Sequence, residues 1–311
     1  MKNLNVVFMG TPDFACPILQ TLIENTNVSL VVSQPDKLVG RKRVLTYPPI
    51  KKLAMDNNIE VFQPIKIKED YQKIIDKKPD IIITCAYGQI VPASLLDVPS
   101  LGCVNVHASL LPRLRGGAPI HKALIDGYEK TGITIMYMDE KMDSGDIIAQ
   151  EEYIIKKDDN VEILHNELSK IGASLLIKTL PSIIDGTNDR IKQKEEEVTY
   201  AFNIKREEEH IDFNKTVEEI YNQVRGLNSW PLANTIINDK ELKVLKCSYK
   251  KQNIDCEPGT IVELSKTAFG ITAKDGVIYL EKVKPFGKNV MDIKDYLNGI
   301  NIKELLNQKV K

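Results

Sequence analysis

The sequence predicts an α/β protein with two domains. The first is a Rossmann-like domain around a doubly wound, mostly parallel sheet, and the second is a small carboxyl-terminal OB-like β-barrel. Over about the first 185 residues, short β-branched runs alternate with amphipathic segments, the pattern of a parallel sheet flanked by helices. The segment 187–206 is polar and charged, as an interdomain linker is, and short strands separated by turn residues follow it. A chain of 311 residues is long enough for two hydrophobic cores.

The pattern predicts the individual elements in chain order. The strands of the first domain are predicted at Leu4–Gly10, Val28–Ser33, Glu60–Gln63, Asp80–Tyr87, Gly102–Val106 and Thr131–Met138. Its helices are predicted at Phe14–Glu24, Pro49–Asn57, Tyr71–Asp76, Ala118–Ile125 and Val161–Leu180. The second domain is predicted to have a helix at Val217–Leu227 and strands at Asn234–Ile237, Leu242–Tyr249, Gly259–Leu264, Gly270–Ala273 and Val277–Val283. We therefore divide the chain into domains at 1–186 and 207–311, joined by the linker at 187–206.

Composition indicates an ordinary globular protein, with 42% apolar and 27% charged residues. Its apolar runs are too short to span a bilayer, and its first ten residues lack the apolar stretch of a signal peptide, so we expect a cytoplasmic protein without a membrane partner. The five cysteines are odd in number and scattered, which favours reduced thiols. Residues 240–311 carry a net charge of +5 against −6 for the remainder, which suggests a polyanionic partner.

Ligands of open parallel sheets bind beyond the carboxyl ends of the strands. Gly10, Tyr87–Gly88 and Asn105–Ser109 all stand at predicted strand ends and so should line one crevice. The first turn reads Gly10-Thr-Pro12, without the G-x-G-x-x-G pattern of a dinucleotide site, and Pro12 lacks a backbone donor. These observations disfavour a nucleotide cofactor.

The strand that ends in Cys103-Val-Asn-Val-His107 carries the strongest chemical signal. Because side chains alternate along a strand, Asn105 and His107 share one face, while Val104 and Val106 share the other. An amide and an imidazolium side by side can both donate hydrogen bonds to an oxyanion. This pair therefore favours an acyl-transfer site, in which a tetrahedral carbon forms.

A carboxylate is needed to hold such a histidine, and the loop after the next strand carries three. Asp143 is our choice because the Ser-Gly turn that follows it could aim it into the crevice. Asp139 and Asp146 are chemically eligible as well. The spacing of the residues does not separate the three.

Two other chemistries are disfavoured. A Cys103-x3-His107 pair could bind a metal, but no second cluster of Cys or His lies near it in the sequence, so we expect no metal. A serine hydrolase of the G-x-S-x-G type would need an elbow that the sequence lacks.

The same residues resemble the signature of the 10-formyltetrahydrofolate-dependent formyltransferases. That signature is matched by Asn105-Val-His107, by Ser109-Leu-Leu-Pro112-Arg113-Leu-Arg115-Gly116 and by Asp143-Ser-Gly145-Asp146. Further stretches resemble the members of that family that act on aminoacyl-tRNA: FMGTPDFA (8–15), SQPDKLVGRKR (33–43), AYGQIVP (86–92), APIHKALIDG (118–127), TGITIMYMD (131–139) and GLNSWPLA (226–233). The resemblance covers both domains.

The resemblance implies a reaction and its residues. Asn105, His107 and Asp143 would be the catalytic trio, which selects Asp143 among the three acids. The co-substrate would be 10-formyltetrahydrofolate, without a metal, and the acceptor would be the α-amine of initiator methionyl-tRNA. The folate contacts it implies, including the strand-end loop, are Ser109, Leu110, Leu111, Pro112, Tyr87 and Gly88.

The resemblance also implies contacts with tRNA. The basic residues between Pro35 and Pro49 would read the acceptor stem, and the arginines after the folate segment would meet phosphates. This set is Arg41, Lys42, Arg43, Arg113 and Arg115. We expect a monomer. Three alternatives remain: a formyltransferase that acts on an amino-sugar nucleotide, hydrolysis of the folate without an acceptor, and a non-catalytic RNA-binding protein that kept the fold.

Overall fold

The structure is a computed structural model that describes residues 1–311 except Arg41 and Asn301. It divides into two compact units. The first unit comprises Met1–Pro119, Lys130–Ile154 and His165–Phe202, and the second comprises Ile120–Glu129, Ile155–Leu164 and Asn203–Lys311. Among the helices described, none is long and apolar enough to cross a membrane.

The first 184 residues contain nine strands and six α-helices within the described part of the chain. The strands are β1 (Asn5–Gly10), β2 (Asn27–Val32), β3 (Lys37–Val39), β4 (Val44–Thr46), β5 (Val61–Phe62), β6 (Ile81–Cys85), β7 (Cys103–His107), β8 (Lys130–Tyr137) and β9 (Ile147–Ile154). The helices are α1 (Cys16–Asn25), α2 (Pro49–Asp56), α3 (Gln72–Asp76), α4 (Ala93–Leu96), α5 (Pro119–Ile125) and α6 (Val161–Ile184).

The main sheet has seven strands in the order β5-β2-β1-β6-β7-β8-β9. The five strands from β5 to β7 are parallel, and β8 and β9 are antiparallel additions at one edge. All five residues of β6 are buried, as expected where helices cover both faces of a parallel sheet. The carboxyl ends of β1, β6 and β7 therefore meet at one edge, where Gly10, Cys85 and His107 lie. This arrangement confirms the predicted α/β fold with a mostly parallel sheet.

The predicted strands of this part of the chain are all present, each with ends within two residues of the prediction. Strand β9 and helix α4 were not predicted. The segment between Pro35 and Pro49, for which no strand was predicted, contains a hairpin formed by β3 and β4. Leu38 and Leu45 pair across the hairpin yet are more than half exposed. Cross-strand pairing rather than burial therefore stabilises the hairpin. Its sequence for that reason lacks the alternation of apolar and polar residues that marks a half-buried strand.

The second unit has a core of its own. Its elements are α7 (Val217–Gly226), β10 (Ala233–Ile237), β11 (Lys240–Lys251), β12 (Ile261–Leu264), β13 (Phe269–Ala273), β14 (Gly276–Pro285), β15 (Met291–Asp292), α8 (Ile293–Leu297) and α9 (Ile302–Leu305). Thr216 caps α7, because its hydroxyl accepts from the backbone amide of Glu219. The Glu219 carboxylate in turn accepts from the backbone amide of Thr216. The buried face of α7, including Ile220, packs in one cluster with Val244 and Ile278 of the sheet.

The antiparallel sheet of this unit closes through the end of the chain. Its strands run β10-β11-β14-β13-β12, with β15 on β14, so β10 and β12 are its two edges. Lys311 exchanges two backbone hydrogen bonds with Ile236 of β10. The amide of Ile261 in β12 donates to Gln308 at 2.9 Å, and Asn307 donates back to Ile261. Because the last residues satisfy both edges, the sheet forms the small OB-like barrel that the sequence predicts.

Candidate active site

Strand β7 carries the asparagine and the histidine singled out in the sequence. It is paired on both sides, with Asn105 opposite Thr84 of parallel β6 and His107 opposite Thr134 of antiparallel β8. Val106, on the other face, is buried. Since side chains alternate, Asn105 and His107 project from the same face of a strand whose backbone is held on both sides. The pairing therefore fixes the backbone positions from which these two side chains project.

A hydroxyl orients the amide of Asn105. Thr84 Oγ1 donates to Asn105 Oδ1 at 2.9 Å, and the sulfur of Met138 lies 3.2 Å from the same hydroxyl. A hydroxyl has one proton to give, and the bond to the amide oxygen is the shortest it makes. With its oxygen accepting that bond, Asn105 directs its NH₂ group away from Thr84. The amide is thus set to act as a donor.

His107 is 6% exposed, and each ring nitrogen faces an oxygen. Nδ1 lies 3.7 Å from Asp143 Oδ1, and Nε2 lies 3.1 Å from the carbonyl oxygen of Leu114. A neutral imidazole can donate to only one of these two acceptors, whereas the imidazolium can donate to both. The Leu114 carbonyl oxygen is at hydrogen-bond distance from Nε2, and the Asp143 carboxylate lies beside Nδ1 at ion-pair distance.

Asp143 is held by its carboxylate and by its backbone. The amide of Gly116 donates to Asp143 Oδ2 at 2.8 Å, which leaves Oδ1 facing the histidine. The side-chain amide of Gln193 donates to the carbonyl oxygens of Asp143 and Gly145, each at 2.8 Å. Asp143 adopts a φ of 51°, in the left-handed region that Asp tolerates better than most residues. The loop thereby presents one carboxylate oxygen to the ring.

The other two candidate acids have different partners. Asp146 Oδ2 accepts from the Arg190 side chain at 3.2 Å. Asp139 is exposed, and its Oδ1 accepts from the backbone of Glu140 at 2.7 Å. Of the three acids in the loop, Asp143 is thus the one beside the ring of His107.

The predicted folate segment is a backbone loop held from β8 and β9. Thr134 Oγ1 donates to the Ser109 carbonyl at 2.7 Å and accepts from the Leu111 amide at 3.1 Å. Gln150 Nε2 donates to the Leu111 carbonyl at 2.9 Å, and the Ser109 hydroxyl donates to the carbonyl of Arg113. The loop follows directly on His107 and passes through the cis peptide bond of Leu111-Pro112. Its shape is therefore set in part by side chains that lie 23 to 39 residues from their partners in the loop.

Tyr87 and Gly88 follow β6 but differ in exposure. The Tyr87 ring is buried in a cluster with residues such as Val91 and Leu95, and its hydroxyl has no hydrogen-bond partner in the described part of the chain. Burial raises the pKa of Tyr87 to about 12. Gly88 is exposed with a φ of 88°. The Tyr87 side chain thus belongs to the core, and this loop can meet a ligand with its backbone.

The five basic residues of the predicted tRNA set are placed differently from one another. Arg41 lies outside the described residues. Lys42 and Arg43 are exposed in the turn between β3 and β4, and Arg113 is exposed after the folate segment. Arg115 is 3% exposed, and its guanidinium donates to Gln193 and Glu195, each at 3.0 Å. We correct the interpretation of Arg115: its guanidinium is buried and hydrogen-bonded within the protein, so it is not available to bind a phosphate.

A groove beside β7 was not anticipated from the sequence. It has a volume of about 620 Å³, and its lining includes Leu96, Gly102, Tyr137, Met138 and Glu140. Met138, which contacts the hydroxyl that orients Asn105, forms part of this lining. Thr84 and Gln193 belong to no sequence motif. Their roles depend on partners far away in the chain, so the sequence did not reveal them.

Cys103, the first residue of β7, is a buried thiol, and burial raises its pKa to about 12. Within the residues that the structure covers, no three His, Cys, Asp or Glu side chains converge as ligands.

Comparison with known proteins identifies the class to which this fold and site belong. Residues 2–180 match the formyl transferase family model, and residues 203–301 match the model of the formyl transferase carboxyl-terminal domain. The chain belongs to the formyl transferase family.

Relatives similar over their full length carry one particular name. The chain is 51% identical over 304 residues to a protein of Bacillus licheniformis named methionyl-tRNA formyltransferase. The aligned residues cover 96% of this chain and 95% of that protein. It is 49% identical over 301 residues to the protein of the same name from Staphylococcus epidermidis, covering 95% and 96%.

Solved structures share the fold at lower identity. An N-formyltransferase from Helicobacter canadensis, solved with folinic acid and dTDP-3-aminofucose, matches with a TM-score of 0.67 at 21% identity, covering 92% of this chain and 100% of that one. A sugar 3N-formyl transferase solved with dTDP and 5-N-formyl-THF matches with a TM-score of 0.68 at 22% identity, covering 93% and 100%.

Proposed function

We propose that this protein transfers the formyl group of 10-formyltetrahydrofolate to the free α-amine of initiator methionyl-tRNA, yielding N-formylmethionyl-tRNA for translation initiation and tetrahydrofolate. The observation that carries the proposal is the meeting of Asn105, His107 and Asp143 at one end of β7, in a chain about half identical to full-length methionyl-tRNA formyltransferases. The sections of chain at 1–186, 187–206 and 207–311 would serve as catalytic domain, linker and tRNA-binding domain.

The trio accounts for each step of the transfer. The amine nitrogen attacks the formyl carbon, and the electron pair of the C=O bond moves to the oxygen. The NH₂ group of Asn105 and the Nε2–H of His107, which turns from the Leu114 carbonyl to the new oxyanion, donate to it. Each such donor lowers the barrier by roughly 3–4 kcal/mol.

Collapse of the tetrahedral intermediate then breaks the bond between the formyl carbon and N10. The electron pair of that bond goes to N10, which takes the proton that the attacking amine has lost. Asp143 keeps Nδ1–H of His107 as a donor and relays this proton, directly or through a water molecule. Gly116 holds the second carboxylate oxygen, so the first stays aimed at the ring.

The folate would lie along Ser109, Leu110, Leu111 and Pro112, with the backbone of Tyr87 and Gly88 on the far side. The groove lined by Gly102 and Met138 lies at the amino end of β7, the opposite end from His107, so we do not assign it to the folate.

Basic groups would hold the tRNA. Lys42, Arg43 and Arg113 are exposed and suit phosphates, and we retain Arg41 in this set. The lysine excess of residues 240–311 would add contacts to the nucleic-acid backbone that weaken with salt. We further propose that the protein acts as a monomer in the cytoplasm, where its five cysteines stay reduced.

The test measures formyl transfer with three acceptors: methionyl-tRNA, a dTDP-linked amino sugar and water alone. Transfer to methionyl-tRNA that is lost in His107→Ala and kept in the matched variant His165→Ala supports the proposal. Transfer to the sugar but not to tRNA, or release of formate at the same rate without an amine, would refute it.

A further inference from the structure

The segment after the linker's glutamates presents two aromatic rings to solvent. Tyr200 is 54% exposed and Phe202 is 63% exposed. Their rings are parallel, with an interplanar angle of 4° and centroids 5.5 Å apart. Ala201 between them is fully buried. Extended backbone directs alternate side chains to opposite sides, so burial of Ala201 turns both rings outward on one face.

Backbone hydrogen bonds attach this pair to the catalytic edge of the first unit. Arg115 donates to the carbonyl of Thr199 at 2.9 Å and accepts from the amide of Ala201 at 2.7 Å. The next residue, Gly116, donates its amide to the Asp143 carboxylate. Arg115, which pairs with the aromatic segment, is therefore the direct neighbour of Gly116, whose amide holds the Asp143 carboxylate.

The site needs such a surface if its acceptor is an aminoacyl-tRNA. The amino acid is esterified to the last nucleotide of a single-stranded end, and unpaired bases bind proteins by stacking on aromatic side chains. The glutamates that precede the pair are partly engaged in ion pairs, Glu195 with Arg115 and Glu197 with Lys194. The two exposed rings offer an unpaired base a face on which to stack.

We propose that Tyr200 and Phe202 form a stacking platform for an unpaired base at the aminoacylated 3′ end of the tRNA. This inference rests on the proposed function. The centroid separation of 5.5 Å is too small for a base to enter between the rings, so the base stacks on the outer face of one of them. Stacking there positions the terminal ribose and its methionyl ester toward Asn105 and His107.

The first experiment compares formylation kinetics of the double variant Tyr200→Ala/Phe202→Ala with those of the wild type. Removing the platform should raise KM for methionyl-tRNA about tenfold, the scale of one lost base stack, and leave KM for the folate unchanged. Tyr200→Phe keeps the ring and should keep the wild-type KM. Ile191→Ala removes an exposed apolar side chain without an aromatic face from the same linker and serves as the matched control.

The second experiment needs no kinetics. Methionyl-tRNA with 2-aminopurine at one unpaired 3′ position at a time is bound to the wild type and to the double variant. Stacking quenches this base, so we expect quenching at one position with the wild type and its loss in the double variant.

The results separate the two proposals. If the wild type does not formylate methionyl-tRNA, the proposed function fails. If it does, but no position is quenched or the double variant keeps the wild-type KM, only the platform is overturned.

Discussion

Gln193 donates hydrogen bonds from its side-chain amide to the carbonyl oxygen of Asp143, 50 residues away in the sequence, and to that of Gly145, each at 2.8 Å. The buried guanidinium of Arg115 in turn donates to Gln193 Oε1 at 3.0 Å. This chain of bonds holds the loop whose carboxylate faces His107. Arg115 and Gln193 are therefore positioning residues, which act on the site through the backbone of Asp143.

The first prediction concerns Gln193→Ala. The two hydrogen bonds to the loop contribute about 1 kcal/mol each, so kcat should fall roughly 10- to 30-fold while both KM values change little. Lys194→Ala, at the exposed neighbouring position, is the control and should keep wild-type kcat. Steady-state kinetics check this, and equal kcat in the two variants would show that the loop does not depend on Gln193.

The second prediction separates the two polar neighbours on β6 and β7. Asn105→Ala removes an oxyanion donor and should lower kcat by roughly 100- to 1000-fold. Thr84→Val removes only the hydroxyl that orients the amide, and we expect a smaller loss of about tenfold. Single-turnover formyl transfer measures both. A larger effect at Thr84 than at Asn105 would contradict the assigned order of roles.

The third prediction concerns Gly116→Ala. A Cβ at this position would lie 2.6 Å from the Ala201 carbonyl oxygen, and the glycine has a φ of 126°. Both the clash and the backbone conformation oppose any side chain, so stability and activity should fall together. Gly186→Ala is the matched control. Its φ is 67°, and nothing that the structure describes lies within 4 Å of the added Cβ.

Thermal unfolding distinguishes these two glycine variants. Gly186→Ala should cost about 1–2 kcal/mol, the penalty of left-handed backbone alone. Gly116→Ala should cost more and should also lower kcat, since the Gly116 amide holds Asp143 Oδ2. A Gly116→Ala variant as stable as Gly186→Ala would mean that the segment at Ala201 moves away freely.

The fourth prediction is a pH dependence. The Tyr87 pKa is raised to about 12 from an ordinary value near 10. Because the folded state holds this proton more tightly, its contribution to stability is complete below pH 10 and is lost as pH rises toward 12. Tyr87→Phe should therefore lessen the fall of Tm between pH 10 and 12.

At pH 7 the same variant should be at least as stable as the wild type, because the hydroxyl it removes is buried and has no hydrogen-bond partner among the described residues. Tm measured from pH 7 to 12 checks both statements. A Tyr87→Phe variant with a markedly lower Tm at pH 7 would show that the hydroxyl has a partner after all.

Local periodicity was enough to predict much of this protein. Alternation along β7 placed Asn105 and His107 on one face, and strand-helix alternation placed that strand's end at the ligand edge of a parallel sheet. Both rules act within a few residues and follow from backbone geometry alone. The exposed hairpin of β3 and β4 escaped the same reasoning, because burial did not shape its pattern.

The sequence by itself determined the two folds and which side chains could do the chemistry, since strand pairing and core burial leave a regular trace in residue order. Residue spacing did not separate Asp143 from Asp139 and Asp146, although the family resemblance selected Asp143. Only the tertiary structure decided how the Asp143 carboxylate lies against the histidine, and that Arg115 turns inward. These outcomes depend on partners 27 to 80 residues away. Such contacts are made when the folded chain brings those segments together, and no local pattern records them.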